Sequence, residues 1–306
     1  MAEAQSAICP EGETFAIFLT ATLCAGPDSA ATVRRVAARL RRLTREVAAE
    51  AGAPSLVSAV GFGAQVWVRL FGKRGPRELA PFEPLSDGPR NAPTTPGDLF
   101  LHIHSDRHDA NFALARRVVD ELDGAVHVVE EIHGFRHMGG RDLTGFVDGT
   151  ENPKGDERPA CALVGDEEPE FAGGAYVNIQ RYVHDLAAWN RQSLEAQEAA
   201  VGRTKADDRE LDDAVKPASA HIARVVIAED GEELQILRHS LPYGTTAEHG
   251  LYFVAYGRSP APFRRMLERM VIRDAEGQYD RLLDFSRPVT GAAFFAPSED
   301  FLAAQA

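Results

Sequence analysis

An α+β fold of two ferredoxin-like halves with antiparallel sheets is what the order of elements predicts. Three observations carry it. The first 135 residues read as strand, helix, strand, strand, helix, strand, which is the split βαβ arrangement. The later residues repeat that plan in outline. A chain of 306 residues with 44% hydrophobic and 26% charged side chains is long enough for two units and a sizeable buried pocket. We divide it into residues 1–145 and 146–306, packed as one compact unit.

Residues 14–23 are rich in β-branched and aromatic side chains and nearly continuous in apolarity, as in a strand buried on both faces. A helix follows, capped by Asp28 or Ser29. Val33, Val36, Ala37, Leu40, Leu43 and Val47 recur in it at helical spacing to about Ala51. Residues 55–61 read as a strand and 61–71 as a turn into a helix. Proline, glycine and polar residues make 77–96 a long irregular connection. Residues 98–104 form a strand, 111–122 an amphipathic helix and 125–135 a strand. In the second half, strands are expected at 175–182, 220–227, 234–238, 250–256 and 292–295. Helices are expected from the Asp185 cap through Trp189 and Leu194, and over 262–270.

The net charge of −13 argues against nucleic acid as the main partner, because a phosphate backbone must be met by a basic face. The dense basic run from Arg34 to Arg45 lies on a helical pattern and reads as a solvated face. Cys9, Cys24 and Cys161 are odd in number and lack CxxC spacing, so neither a disulfide framework nor a zinc site is supported. A reducing, cytoplasmic setting is expected. No secretory signal pattern is seen near the N-terminus and no run has the roughly eighteen apolar residues of a membrane span. No membrane association is expected.

The stretch 145–153, Gly-Phe-Val-Asp-Gly-Thr-Glu-Asn-Pro, sets Asp148 between two glycines on a turn that Pro153 ends. Such a turn is either a plain surface loop or a rigid holder of one carboxylate. His221 follows Pro217-Ala218-Ser219-Ala220 at the start of an apolar run. It is either a satisfied core histidine or an axial metal ligand whose other ring nitrogen needs an acid partner. Asp284, in the run Asp280-Arg281-Leu282-Leu283-Asp284-Phe285, is an acid flanked by apolar residues and suits that role. Arg238 ends an apolar stretch before Pro242-Tyr243-Gly244. It is either a surface ion-pair residue or a buried cation opposite a developing negative charge.

Taken together, 145–153, His221 and the run Arg238-His239-Ser240-Leu241-Pro242-Tyr243-Gly244 resemble the dye-decolorising peroxidases, the bacterial B-type branch in particular. The resemblance extends over residues 14–297 and includes 181–186, 202–205 and 290–295. It implies two ferredoxin-like halves around one pocket for haem b. It also implies peroxidase activity, with hydrogen peroxide as oxidant and dyes, phenols or other small one-electron reductants as donors. By the same resemblance His221 is the proximal iron ligand, and Asp148, Arg238 and Ser240 stand on the distal side. Arg203 and Glu210 lie near the haem propionates, Asn152 at the haem edge, and Asp284 bonds the proximal histidine. Ser240 departs from the asparagine of many relatives and leaves more room for water.

Dyes exceed a peroxide-sized cavity, so Trp189, Tyr243 or Tyr252 are either surface electron-transfer residues or structural aromatics. Homo-oligomers are common in the family. No extended tail follows the last strand, and packaging in a protein shell is not expected. A protein that binds haem or releases its iron, with incidental peroxidase turnover, is the alternative. A phosphoryl-transferring aspartate is disfavoured because Phe146 stands where the nucleophile would be. A calcium loop is disfavoured because the Asp-x-Asp-x-Asp-Gly spacing is missing.

Overall fold

A computed structural model describes residues 2–12, 14–229 and 231–305. Its N-terminal half runs β1 (Phe15–Leu23), α1 (Ser29–Ala51), β2 (Val57–Gly63), α2 (Ala64–Phe71), a small hairpin of β3 (Leu85–Asp87) and β4 (Arg90–Ala92), β5 (Leu99–Ser105), α3 (His108–Leu122) and β6 (Val126–Phe135). The C-terminal half begins with α4 (Glu157–Ala162), β7 (Ala175–His184), α5 (Leu186–Asn190), α6 (Leu194–Val201) and α7 (His221–Val225). It continues with β8 (Ala228–Glu229), β9 (Glu232–Glu233), β10 (Leu237–Arg238), β11 (Leu241–Gly244), β12 (His249–Gly257) and α8 (Ala261–Val271). It ends with β13 (Ser286–Pro288), β14 (Ala292–Ala296) and α9 (Glu299–Ala303).

The two antiparallel sheets join at both edges. The order β1-β5-β2-β14-β7-β12-β11-β6 returns to β1, so the strands close on themselves and neither half keeps a long free edge. One junction is β2 with β14; the other is a single meeting of Tyr243 with Gly134. Gly134 permits that approach, since a Cβ there would stand 2.9 Å from Leu241 Cβ.

Side chains alternate across these strands. The enclosed face holds Phe18, Phe100, Tyr252, Tyr256 and Phe294 in one apolar cluster. On the outside of the first half, α1 and α3 bury Val36, Leu40, Leu43, Leu114 and Val118 against β1, β2 and β5. On the outside of the second half, α8 packs Phe263 and Leu267 near Phe253 and Ile236. Full burial of such a side chain contributes about 1.5–3 kcal/mol. Beside α8 this outer layer is incomplete, and the incompleteness is the cavity described below.

Residues 77–96, expected to be irregular, hold the β3–β4 hairpin, and the expected elements show three further differences. Residues 220–227, expected as a strand, begin instead with helix α7. A short apolar run has no period that separates the two states, and the i to i−4 bonds from Arg224 N to Ala220 O (3.1 Å) and Val226 N to Ile222 O (2.9 Å) decide it. The helix expected from Asp185 to Leu194 is two. Asp185 caps α5 by accepting from Ala188 N (2.8 Å), and Ser193 starts α6 by accepting from Ala196 N (3.2 Å). Of residues 234–238, only Leu237 and Arg238 enter the ladder, paired with Tyr256 and Ala255.

Candidate active site

A cavity of about 1490 Å³, its open mouth included, lies between the outer face of the C-terminal sheet, the helices α7 and α8, and the loop before α4. Its lining residues fall between Asp142 and Ser286, so it belongs to the second half and its preceding loop. Apolar side chains, among them Ile222, Val225, Phe253, Phe263, Met266 and Leu282, form most of its wall. Polar groups converge on that wall at a few points.

The loop holding Asp148 is rigid for local reasons. Asp142 N donates to Phe146 O (2.9 Å) and Asp148 N to Gly140 O (3.0 Å). Arg141 Nη1 donates to Gly145 O and Lys205 O, both at 2.7 Å. Gly145 has φ 90°, a left-handed backbone that favours glycine, so the turn needs glycine there. Phe146 is buried against Trp189, whose indole N–H donates to Thr144 O (3.0 Å). The carboxylate is held rather than left in a plain surface turn.

Arg238 faces Asp148 with Nη1 3.8 Å from Oδ1, each side chain about a quarter exposed. That is too long for a hydrogen bond and short enough for strong charge attraction. Asn152 sets this distance indirectly. Its Nδ2 donates to Arg238 O (2.9 Å) and its Oδ1 accepts from Arg238 N (2.9 Å), so one amide copies a strand neighbour and ties the loop to β10. Asn152 therefore does not meet its expectation of a place on the cavity edge, because both its polar atoms are spent on backbone and it is not among the lining residues. Ser240 does line the cavity, and its Oγ is buried without a partner. His239 between them points the other way, into the enclosed core, and bonds Ile8 O (2.7 Å).

His221 opens α7 and lines the same cavity. Its Nδ1 stands 2.6 Å from Asp280 Oδ2, and Asp280 is fully buried. Burial pulls the imidazole toward the neutral form, but the charge and hydrogen bond of Asp280 outweigh it and the net shift of its pKa is upward. The expected acid was Asp284, and here the structure corrects the sequence. Asp284 accepts from Tyr279 Oη (3.0 Å), pairs with Arg281 (2.8 Å) and lies outside this cavity. The reason is the 3₁₀ turn Arg281–Asp284. Asp280 caps it, with Oδ1 accepting from Leu282 N (2.9 Å), and the turn carries Asp284 round to the other side.

Arg203 also lines the cavity, held by Asp208 Oδ1 (2.8 Å), Asp208 O (2.7 Å) and Glu151 Oε1 (2.8 Å). Glu210 sits opposite Arg203 in a single β-bridge, yet its side chain pairs with Lys216 and is not part of the wall. Its backbone pairing explains the nearness, and its outward side chain explains the miss. Trp189, Tyr243 and Tyr252 are all buried, so none is a surface residue.

Sequence reasoning passed over four groups. Asp142 lines the cavity beside the loop; burial, with the Asp148 charge as a smaller contribution, pushes its pKa up to about 6. Gln180, Tyr182 and His184 project from one face of β7 into the wall, where period-two alternation along 175–184 would have found them. Gln180 Nε2 and His184 Nε2 are buried without partners. Among the described residues no group of three or more His, Cys, Asp or Glu is placed to hold a metal ion.

These features fit a large flat apolar group with one metal ligand from the protein. The wall is wide and apolar, and the Asp280 bond to Nδ1 leaves Nε2 of His221 as the ring nitrogen for the cavity. Orphaned Ser240 Oγ fits a polar species on the side of Arg238 and Asp148.

The whole architecture matches known proteins. The N-terminal model of the Dyp-type peroxidases matches residues 5–136 and the C-terminal model residues 139–301. The chain is 46% identical over 291 residues to the dye-decolorizing peroxidase of Mycobacterium tuberculosis, covering 94% of this chain and 86% of that protein. It is similar to a variant of DypB from Rhodococcus jostii RHA1 solved in complex with heme, at 43% identity and TM-score 0.95 over 99% of both chains. It is also similar to the encapsulated DyP-type peroxidase from Mycobacterium smegmatis, at 44% identity and TM-score 0.94 over 99% of this chain and 98% of that one. With both family models spanning nearly its full length, the chain belongs to the Dyp-type peroxidase family.

Proposed function

We propose that this chain is a haem-dependent peroxidase that reduces hydrogen peroxide and oxidises dyes, phenols or other one-electron donors. One observation carries it most directly. A histidine bonded to a buried carboxylate, and an arginine–aspartate pair, line the same apolar cavity.

Haem b, when bound, supplies an iron that binds peroxide and relays electrons from the donor. His221 would hold that iron through Nε2, and Asp280 fixes the ring and strengthens the nitrogen as a donor. Asp148 takes a proton from peroxide at its carboxylate and returns it to the departing oxygen, a transfer typically contributing about 10² to 10⁴ in rate. Arg238 favours the anionic form and the charge that develops on the leaving oxygen, by about 3 kcal/mol if it acts as other fixed donors do. Ser240 offers a hydroxyl on the same side, and its small side chain leaves space for water beside Asp148. Arg203, which lines the cavity, would pair with a haem carboxylate. Glu151, half-exposed, is the partner it would give up for that contact.

Among the described residues no helix is long and apolar enough to cross a membrane. We place the protein in the cytoplasm on its three unpaired cysteines, and read it as a homo-oligomer on its family. The test is direct. Haem-loaded protein is expected to change spectrum on adding hydrogen peroxide and to recover it on adding a dye or phenol, with the donor oxidised. Loss of iron from the porphyrin with no donor oxidised would contradict the reading.

A further inference from the structure

The last turn of α8 leaves three successive carbonyls over from its own ladder, as helix ends do, and each takes a different donor. Arg269 O accepts from Arg224 Nε (2.8 Å), on the helix that His221 opens. Met270 O accepts from Asp280 N (3.1 Å). Val271 O accepts from Arg90 Nε (2.9 Å), which reaches it from the β3–β4 hairpin, 181 residues away in sequence. The histidine, its acid and the hairpin of the other half are thus moored side by side. Resting on the peroxidase reading above, we propose that Asp87 and Arg90 are positioning residues for the iron ligand: by pinning the end of α8 they keep Asp280 aligned on His221.

Helix ends fray, and this one has reason to. Residues 272–277, which follow it, are exposed, so packing does not fix them. Fraying would move Met270 relative to Arg269, and with it Asp280 relative to His221. The short contact between those two, 2.6 Å from Nδ1 to Oδ2, weakens steeply once its length and angle depart from the optimum.

The hairpin supplies what packing lacks. Asp87 Oδ2 accepts from Arg273 N (2.9 Å) and Nε (3.0 Å), and its Oδ1 accepts from Arg273 Nη2 (2.8 Å). Arg90 pairs with Asp87 (2.9 Å) and lies 3.9 Å over the ring of Tyr279, the neighbour of Asp280. Its side chain is 8% exposed, so solvent screens that pair little, and a guanidinium at a helix C-terminus is favoured by the helix dipole. Both ends of the exposed segment, at Val271 and at Tyr279, are therefore gripped by one arginine. The N-terminal half gives no residue to the cavity wall, and acts on the cavity through this grip.

The test uses ferrous haem-loaded protein, whose iron–histidine stretching band in the resonance Raman spectrum drops in frequency when the hydrogen bond at Nδ1 weakens. Haem titration and urea unfolding of the apoprotein accompany it. Arg90→Met keeps the stem and removes the bonds to Val271 and Asp87, and Asp87→Ala removes the ties to Arg273 and Arg90. In both, the band is expected at lower frequency and haem affinity to fall by about three- to tenfold, less than loss of the direct partner typically costs. Should one variant fail to fold, the other decides, and Arg273→Ala, at an exposed position, decides if both fail. Lower urea stability with band and affinity unchanged would overturn the proposal and make the hairpin a brace of the fold only. A wild type without an iron–histidine band would overturn the ligand reading, and the proposal with it.

Discussion

His221 Nδ1 and Asp280 Oδ2 stand 2.6 Å apart, and the carboxylate of Asp280 is completely buried. A buried acid whose second oxygen caps the following turn has no freedom to turn away. The imidazole is therefore fixed in orientation, with Nε2 left for the cavity.

Asp280→Asn is expected to weaken haem binding by about 10- to 100-fold, as loss of such an outer partner typically does. Asp284→Asn, which disturbs only Tyr279 and Arg281, should leave the affinity within about twofold of wild type. Titrating apoprotein with haem distinguishes them, and the opposite ranking would return the role to Asp284.

Arg238→Ala is expected to slow the reaction with peroxide more than Asp148→Ala does. The arginine provides fixed charge that water replaces poorly, on the order of 10²- to 10³-fold by analogy with other such donors. The aspartate can be replaced in part by a water that carries the proton. Stopped-flow mixing with hydrogen peroxide at one pH gives the order, and a slower Asp148→Ala would refute it.

Asn152→Ala removes two hydrogen bonds to the Arg238 backbone and leaves a buried strand end unpaired. A loss of about 1–3 kcal/mol in unfolding free energy is expected. The position of the haem absorption band should stay, because the side chain does not reach the cavity. A shifted band with full stability would show that Asn152 contacts haem after all.

Asp142 predicts a pH dependence of stability. Its carboxyl is pushed up to about 6 in the folded protein, so the folded state binds more protons than the unfolded one between about pH 4 and pH 6. Stability from this group is highest at and below about pH 4, falls as pH rises to about 6 and is level beyond, a total of roughly 3 kcal/mol. Asp142→Asn keeps an oxygen for Thr144 and removes the ionisation. Its stability relative to wild type should rise across that window, as followed by urea unfolding. A constant difference from pH 4 to pH 8 would contradict the assignment.

Much of this was legible in the residues. The pattern Gly145 to Gly149 around Asp148 left a plain turn and a held carboxylate both open, and only the family resemblance set Arg238 and Ser240 beside it. The strands of the first half were plain because their apolar runs are long and bounded by turns. The choice between Asp280 and Asp284 was not legible, since both flank the same short run and only the three-residue period of the 3₁₀ turn between them sets the two carboxylates on different sides. The helix at His221 was missed because its run is too short to show a period. The closure of the two sheets was invisible because it rests on distant pairings, Gly134 with Tyr243 and Phe62 with Phe295. The role of Asn152 looked like a haem contact because a side chain that imitates a strand leaves no pattern in sequence.

The central claim is that His221 is the iron ligand, and the absorption spectrum of haem-titrated wild type and His221→Ala tests it most directly. The account predicts a histidine-ligated Soret band in the wild type. In the variant that band should be lost, and external imidazole should restore it. An unchanged band of full intensity in His221→Ala would contradict the assignment of the ligand and of the site built around it.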